Sequence, residues 1–303
     1  MKIQKILAQL NKKALFPSFK DENHYYFYLK SGLSVRIKRE KDSPDDLSII
    51  AKSIQFDTES DNCLTIRANW NRHDSYEFIG RTQISMSEIN DMLPIVSTDR
   101  SRYVLNGVYF NEDGMAATDG ARMIMKKNHP SFTRCDGHIF SGDHLKEFKS
   151  FFGAKANLEI QLTDDVFYKL EHDGMEIQGR FVDGVFPNFL HVVPENKSGN
   201  HFRFSEEFLG LFKELKSTYG NVDFILNTST KKVRIEGNDE LLDFNPDWIT
   251  VERGEYPKFG VNLKFLNDFL KIGLFDFSIE DDHSPLHFSN DKYEAVLMPM
   301  RIR

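Results

Sequence analysis

One short amphipathic helix followed by a run of alternating strands, repeated along the chain, is the feature that most restricts its fold. Helical periodicity appears at residues 2–13, 86–96, 142–152, 205–217 and 262–272, where apolar side chains recur every three to four positions. Ser85 or Ser87 stands where the second helix needs an N-cap, and Ser205, followed by Glu206 and Glu207, stands before the fourth. Between the helices, residues alternate in and out with period two in HYYFYLK (24–30), LSVRIKR (33–39), CLTIRANW (63–70), VFYKLEH (166–172), MEIQGRF (175–181), VDFILNT (222–228) and KVRIEG (232–237). Short turns such as Lys30-Ser31-Gly32 and His172-Asp173-Gly174 join neighbours, so the sheets are antiparallel. The order is α+β with a repeat of about half a domain, not the strict alternation of a parallel sheet.

A chain of 303 residues suits two or three cores of roughly 100 residues each. A polar stretch near Thr82 and the linker-like PENKSGN (194–200) divide it into 1–82, 83–195 and 196–303. No window approaches the roughly 18 consecutive apolar residues of a spanning helix, and lysines interrupt the first apolar stretch, so a cytoplasmic protein is expected. Cys63 and Cys135 are far apart and lie in no metal-ligand spacing, which predicts free thiols, no structural zinc and no cofactor. The net charge of -7 excludes binding to DNA through bulk basicity. Any DNA contact must be local or topological. The 27 phenylalanines, without interleaved arginines, read as core and not as a stacking platform.

An ordered series of segments then narrows the reading: RYVLNGVYF from Arg102, MAATDGARM from Met115, GRFVDGVFPNFLHVVP from Gly179, FGVNLKFLNDFL from Phe259, and SPLHFSN with AVLMPMRIR at the end. From about Gln83 onward this series resembles the bacterial and phage DNA sliding clamp, the β subunit of the replicative DNA polymerase III. The resemblance implies a clamp fold of repeated βαβββ half-domains, with antiparallel sheets outside and helices lining a ring. It implies a non-enzymatic processivity factor that encircles duplex DNA and holds a polymerase through a hydrophobic peptide cleft. The cleft residues it implies are Leu105; Thr118, Gly120, Arg122 and Met123; Pro187, His191 and Val192; Pro285; and Val296, Leu297, Met298, Pro299, Met300, Arg301 and Ile302. Methionine, valine and leucine make an adaptable groove, and arginines at its rim would fix a peptide's polar groups. Burying about 400 Å² of apolar peptide surface yields roughly 10 kcal/mol before ordering costs, consistent with exchangeable binding. Three positions depart from the family pattern: Ala121 stands for a histidine, His191 for an arginine, and Arg303 extends the end by one residue.

The first 80 residues are short for a clamp domain, and a truncated first domain is expected, with SPDDLSIIAKS (43–53) holding a shortened second helix. The DNA-facing candidates are Lys2, Lys5, Lys12, Lys13, Lys146, Lys149, Lys264 and Lys271, since sliding needs cations without base readout. The implied partners are duplex DNA, a DNA polymerase, a clamp loader, and further copies of the chain as a homodimer or homotrimer. A competing reading is a clamp-like adaptor or decoy that keeps the peptide cleft without encircling DNA. A nuclease reading would use Asp164-Asp165 and Glu280-Asp281-Asp282-His283, but these acids sit where turns favour them, and no triphosphate-binding loop is present.

Overall fold

The computed structural model describes residues 9–10, 12–15, 19–20, 24–38, 78, 80–111, 114–127, 137–163, 167–194, 200–219, 224–229, 231–235, 241–243, 245–255, 257–281 and 283–300. The expected strand at 63–70, the expected helix at 43–53, most of helix 2–13, both cysteines, Asp164-Asp165, Lys2, Lys5 and residues 301–303 lie outside this set.

In chain order, β1 (Phe19–Lys20), β2 (His24–Tyr28), β3 (Ser34–Lys38) and β4 (Gly80–Ser85) precede helix α1 (Met86–Met92). Two 3-10 turns, Leu93–Ile95 and Arg100–Leu105, lead to β5 (Gly107–Asn111), β6 (Gly114–Thr118), β7 (Arg122–Lys127) and β8 (His138–Ser141). Helix α2 (Gly142–Phe152) is followed by β9 (Asn157–Leu162), β10 (Phe167–His172) and β11 (Met175–Arg180). A 3-10 turn at Leu190–Val192 precedes β12 (Asn200–Phe204), α3 (Phe208–Tyr219), β13 (Phe224–Asn227), β14 (Lys232–Ile235), β15 (Leu241–Asp243) and β16 (Ile249–Arg253). The chain then runs through β17 (Gly260–Asn262), α4 (Leu263–Leu270), β18 (Asp276–Ile279), β19 (Leu286–Ser289) and β20 (Tyr293–Leu297).

These elements form two compact units. Unit 1 comprises residues 1–93, 107–112 and 130–185; unit 2 comprises 94–106, 113–129 and 186–303. In unit 1 a sheet runs in the order β1-β2-β3-β11-β10-β9-β4. All of its pairings are antiparallel. Strand β3 docks on β11, with Arg36 opposite Glu176, so residues from the start of the chain share one sheet with residues about 140 positions later. Thr82 lies inside β4, opposite Ile160 of β9. In unit 2 the pairings run β16-β12-β18-β19-β20-β7-β6, and a second sheet runs β15-β14-β13-β17.

Local sequence explains much of this. The hairpin between β10 and β11 turns on Asp173 and Gly174, both at positive φ (51° and 73°), as a two-residue turn that follows strand twist requires. In α2, Leu145, Phe148 and Phe151 recur every third position and are buried, and the helix ends at Gly153 (φ 93°), whose N–H returns to the Lys149 carbonyl. Helix α4 starts on Asn262, whose side chain accepts from the Lys264 N–H at 2.9 Å. Two expected caps work differently. The Ser85 hydroxyl caps nothing and instead lies 2.8 Å from that of Ser87. Helix α3 begins at Phe208, three residues after Ser205, whose buried hydroxyl has no partner among the described residues; the Phe208 N–H is taken by the Ser205 carbonyl at 3.1 Å.

The phenylalanines form the cores. In unit 2, Phe204, Phe277 and Phe288 stack in one group, extended by Phe202, Phe208, Phe259 and Phe269. In unit 1, Phe140 contacts Phe110, Phe181 and Tyr168. Rings 4.7 to 5.4 Å apart, as in Phe204–Phe277 and Phe277–Phe288, add to area burial by about 0.5–1.5 kcal/mol per pair. Among the described residues no helix is long and apolar enough to cross a membrane.

Candidate partner-peptide cleft

The turn from Thr118 to Arg122 is closed by its own side chains. Thr118 Oγ1 donates to the Arg122 carbonyl at 2.7 Å and accepts from the Gly120 N–H at 3.1 Å. Asp119 Oδ1 accepts from the N–H groups of Ala121 and Arg122 at 2.9 and 3.0 Å. Gly120 sits at φ 90°, a conformation that favours glycine. Asp and Thr are the residue types that hold turns in this way.

Arg122 is the anchor beneath this turn. Its side chain is only 3% exposed. Nε donates to Asp119 Oδ2 at 2.9 Å, Nη1 to Asp268 Oδ2 at 2.8 Å on α4, and Nη2 to the Pro94 carbonyl at 2.7 Å. The Phe265 ring lies 4.3 Å from the guanidinium carbon. A planar fork can satisfy several acceptors at once, which is why arginine and not lysine suits such a buried position. The expectation of a rim arginine that grips peptide is therefore corrected for Arg122. Its donors are used within the protein, and it shapes the surface from below.

The end of the described chain lies across this turn. Strand β20 is central, paired to β19 on one side and to β7 on the other. Val296 lies opposite Met123 and Leu297 opposite Arg122. Beyond β20 the Met298 N–H donates to the Ala121 carbonyl at 2.9 Å, and the Met300 N–H to the Gly260 carbonyl at 2.7 Å. Pro299, which has no N–H to place, falls between these two pins.

The candidate residues thus separate by burial. Leu105, Met123, Val296 and Leu297 are buried core positions. Gly120, Pro187, His191, Val192 and Met298 are exposed, while Thr118, Pro285, Pro299 and Met300 are half-buried. His191, Val192 and Pro285 come together in one pocket of ≈ 270 Å³, which they line with Pro194, Ser278, Ile279, Glu280 and Ser284. Sequence reasoning missed Pro194, Ser278, Ile279 and Ser284 as lining residues and weighed Glu280 only within an acid cluster. The available signal was the end of β18, which must lie beside Pro285 if β18 and β19 form a hairpin. Asp281, between the two strands, bonds residues that follow it: its Oδ1 accepts from the Ser284 hydroxyl at 2.8 Å and from the His283 and Ser284 N–H groups at 2.9 and 2.7 Å. These bonds, the Ser284 hydroxyl first, hold the Asp281 carboxyl below its ordinary pKa.

The lysine candidates divide as well. Lys13 pairs with Glu147, Lys146 with Asp143 and Lys271 with Asp268. Lys12, Lys149 and Lys264 are exposed. Among the described residues no three His, Cys, Asp or Glu side chains gather as a metal site.

Antiparallel sheets with short helices, in half-domain repeats, define a protein of the DNA-clamp fold. The chain resembles the β sliding clamps of bacteria. It is 26% identical over 163 residues to the β sliding clamp of Borreliella burgdorferi, covering 52% of this chain and 40% of that protein. It is 29% identical over 112 residues to the β sliding clamp of Rickettsia bellii, covering 34% of this chain and 30% of that protein. The matched region thus spans less than half the length of these relatives. The crystal structure of the Bartonella birtlesii sliding clamp (DNA polymerase III subunit β) bound to griselimycin superimposes with a TM-score of 0.70 at 16% identity, over 99% of this chain and 98% of that one. No family model matches the chain.

Proposed function

We propose that this chain is a sliding clamp, a non-enzymatic processivity factor that closes into a ring around duplex DNA and tethers a replicative polymerase through an apolar peptide cleft. The observation that carries the proposal is the clamp fold across nearly the whole chain. The pinned segment from Met298 to Met300 beside the Thr118–Arg122 turn supports the position of the cleft. The division into 1–82, 83–195 and 196–303, with a truncated first domain, is part of this proposal, as are the DNA-facing residues and, apart from Arg122, the cleft residues named above. A clamp loader opens the ring, and the protein works in the cytoplasm.

The adaptor reading has one observation in its favour. Three of the DNA-facing candidates are ion-paired to acids, which weakens any cationic track. The solution mass measured by light scattering over a wide concentration range separates the readings. A dimer or trimer is expected for the ring. A monomer at every concentration overturns the ring and leaves the adaptor. The cleft has its own test, in which Met300→Asp abolishes binding of an apolar peptide bearing two leucines and a phenylalanine. Unchanged affinity overturns the cleft assignment.

A further inference from the structure

The pocket beside the cleft has two kinds of wall. Val192, Pro194, Ile279 and Pro285 line it with apolar surface and Glu280, Ser278, Ser284 and His191 with polar groups, and of these Ile279 is buried while Glu280 and His191 are exposed. Glu280 is exposed at the end of β18. Its carboxylate has no ion-pair partner among the described residues, and Asp281, held in its charged form by the turn, adds negative charge next to it. The turn bonds spend the Ser284 hydroxyl proton on Asp281, which leaves the oxygen of this lining residue with acceptor capacity alone. A long apolar stem that ends in a polar head is the shape of a lysine or arginine side chain, whose methylenes pack on apolar surface while the charge stays at the water boundary. The flat imidazole of His191 adds a surface on which a guanidinium stacks.

We infer that this pocket is a specificity subsite, and that the preferred partner peptide carries a basic residue beside its apolar residues, seated along Ile279 and Pro285 with its charge at Glu280. This rests on the reading of the neighbouring surface as a peptide cleft. The position is also where the sequence has His191 in place of the arginine of the resembled family. An arginine there would repel a basic ligand. Histidine with Glu280 accepts one.

Two synthetic peptides test this, each with two leucines and a phenylalanine, one with a flanking lysine and its twin with alanine. Calorimetric titration of the full chain at low salt is expected to show the lysine peptide binding about threefold to fivefold more tightly, as for a partly exposed charge pair. The difference shrinks at high salt. Glu280→Gln removes the preference, so that the two peptides bind equally, and Glu280→Lys reverses it toward an aspartate-bearing twin. Equal binding of both peptides to the unaltered chain, with Met300→Asp still abolishing both, overturns the subsite and leaves the cleft standing. No binding of either peptide overturns the cleft and the subsite with it.

Discussion

Among the polar side chains that each unit buries, Arg122 in unit 2 and His144 in unit 1 are held by several bonds each, and the two are buried in different electrical states. In unit 2, Arg122 is charged, held by two carboxylates and a backbone carbonyl. In unit 1, His144 lies between the Ser31 carbonyl, 2.8 Å from Nε2, and the Tyr168 hydroxyl, 2.7 Å from Nδ1. A carbonyl can only accept, so Nε2 carries the proton and Nδ1 accepts from Tyr168. Burial therefore keeps His144 neutral and holds its pKa below the ordinary value, with the Ser31 bond and the Asp143 charge opposing less strongly. Burial likewise pushes the Tyr168 hydroxyl well up. The comparison teaches that both anchors tie together segments far apart in sequence, the charged one through ion pairs and the neutral one through hydrogen bonds, of which the one accepted from Tyr168 is expected to be lost when Nδ1 is protonated.

The largest expected effect comes from breaking the charged anchor. Arg122→Met strands Asp119 and Asp268 partly buried and should destabilise unit 2 by about 3–5 kcal/mol in denaturant unfolding. Adding Asp268→Leu should recover part of that loss, and failure to recover any would show that the ion pair is not its source. Next comes Gly179→Ala. Gly179 lies opposite Tyr168 across the β10–β11 pair, and a Cβ there would overlap the Tyr168 ring and hydroxyl. Overpacking at this position should cost about 1–3 kcal/mol, read in the same experiment.

The pH response sharpens the contrast between the two anchors. The unfolded chain protonates His144 near its ordinary value of about 6.5, while the folded chain resists, so stability should fall as pH drops from about 6.5 toward the depressed folded value. His144→Gln should flatten that part of the stability profile, and an unchanged slope would mean that other groups cause it. The smallest effect belongs to Glu176. Burial raises its pKa, but hydrogen bonds from Arg36 and Lys169 outweigh this and hold it below the ordinary value. Its contribution is therefore complete above about pH 4.5 and is lost as pH falls further. Glu176→Gln should cost about 1 kcal/mol at neutral pH, and the variant should approach the parent's stability in acid.

Much of the fold was legible because its causes are local. The apolar spacing of Leu145, Phe148 and Phe151 with Gly153 after them defines α2 without reference to the rest of the chain. Asp173-Gly174 between two alternating runs defines its hairpin in the same way. The ordered segments from Arg102 to the end supplied the residues proposed for the cleft, of which Met298, His191 and Val192 are exposed. Local signals failed at Ser205, because the hydroxyl's surroundings depend on what packs around it.

By itself, then, the sequence determined the α+β class, the hairpins, the phenylalanine core and the family resemblance, because periodicity and turn chemistry act over a few residues. Only the tertiary structure decided that Arg122 is buried with its donors turned to acceptors of its own chain, that β3 pairs with β11, and that Glu280 shares a pocket with His191. Each of these depends on which distant residues meet, and the energy of a buried charge or a pocket wall is set by those neighbours and not by the residue's own position in the chain.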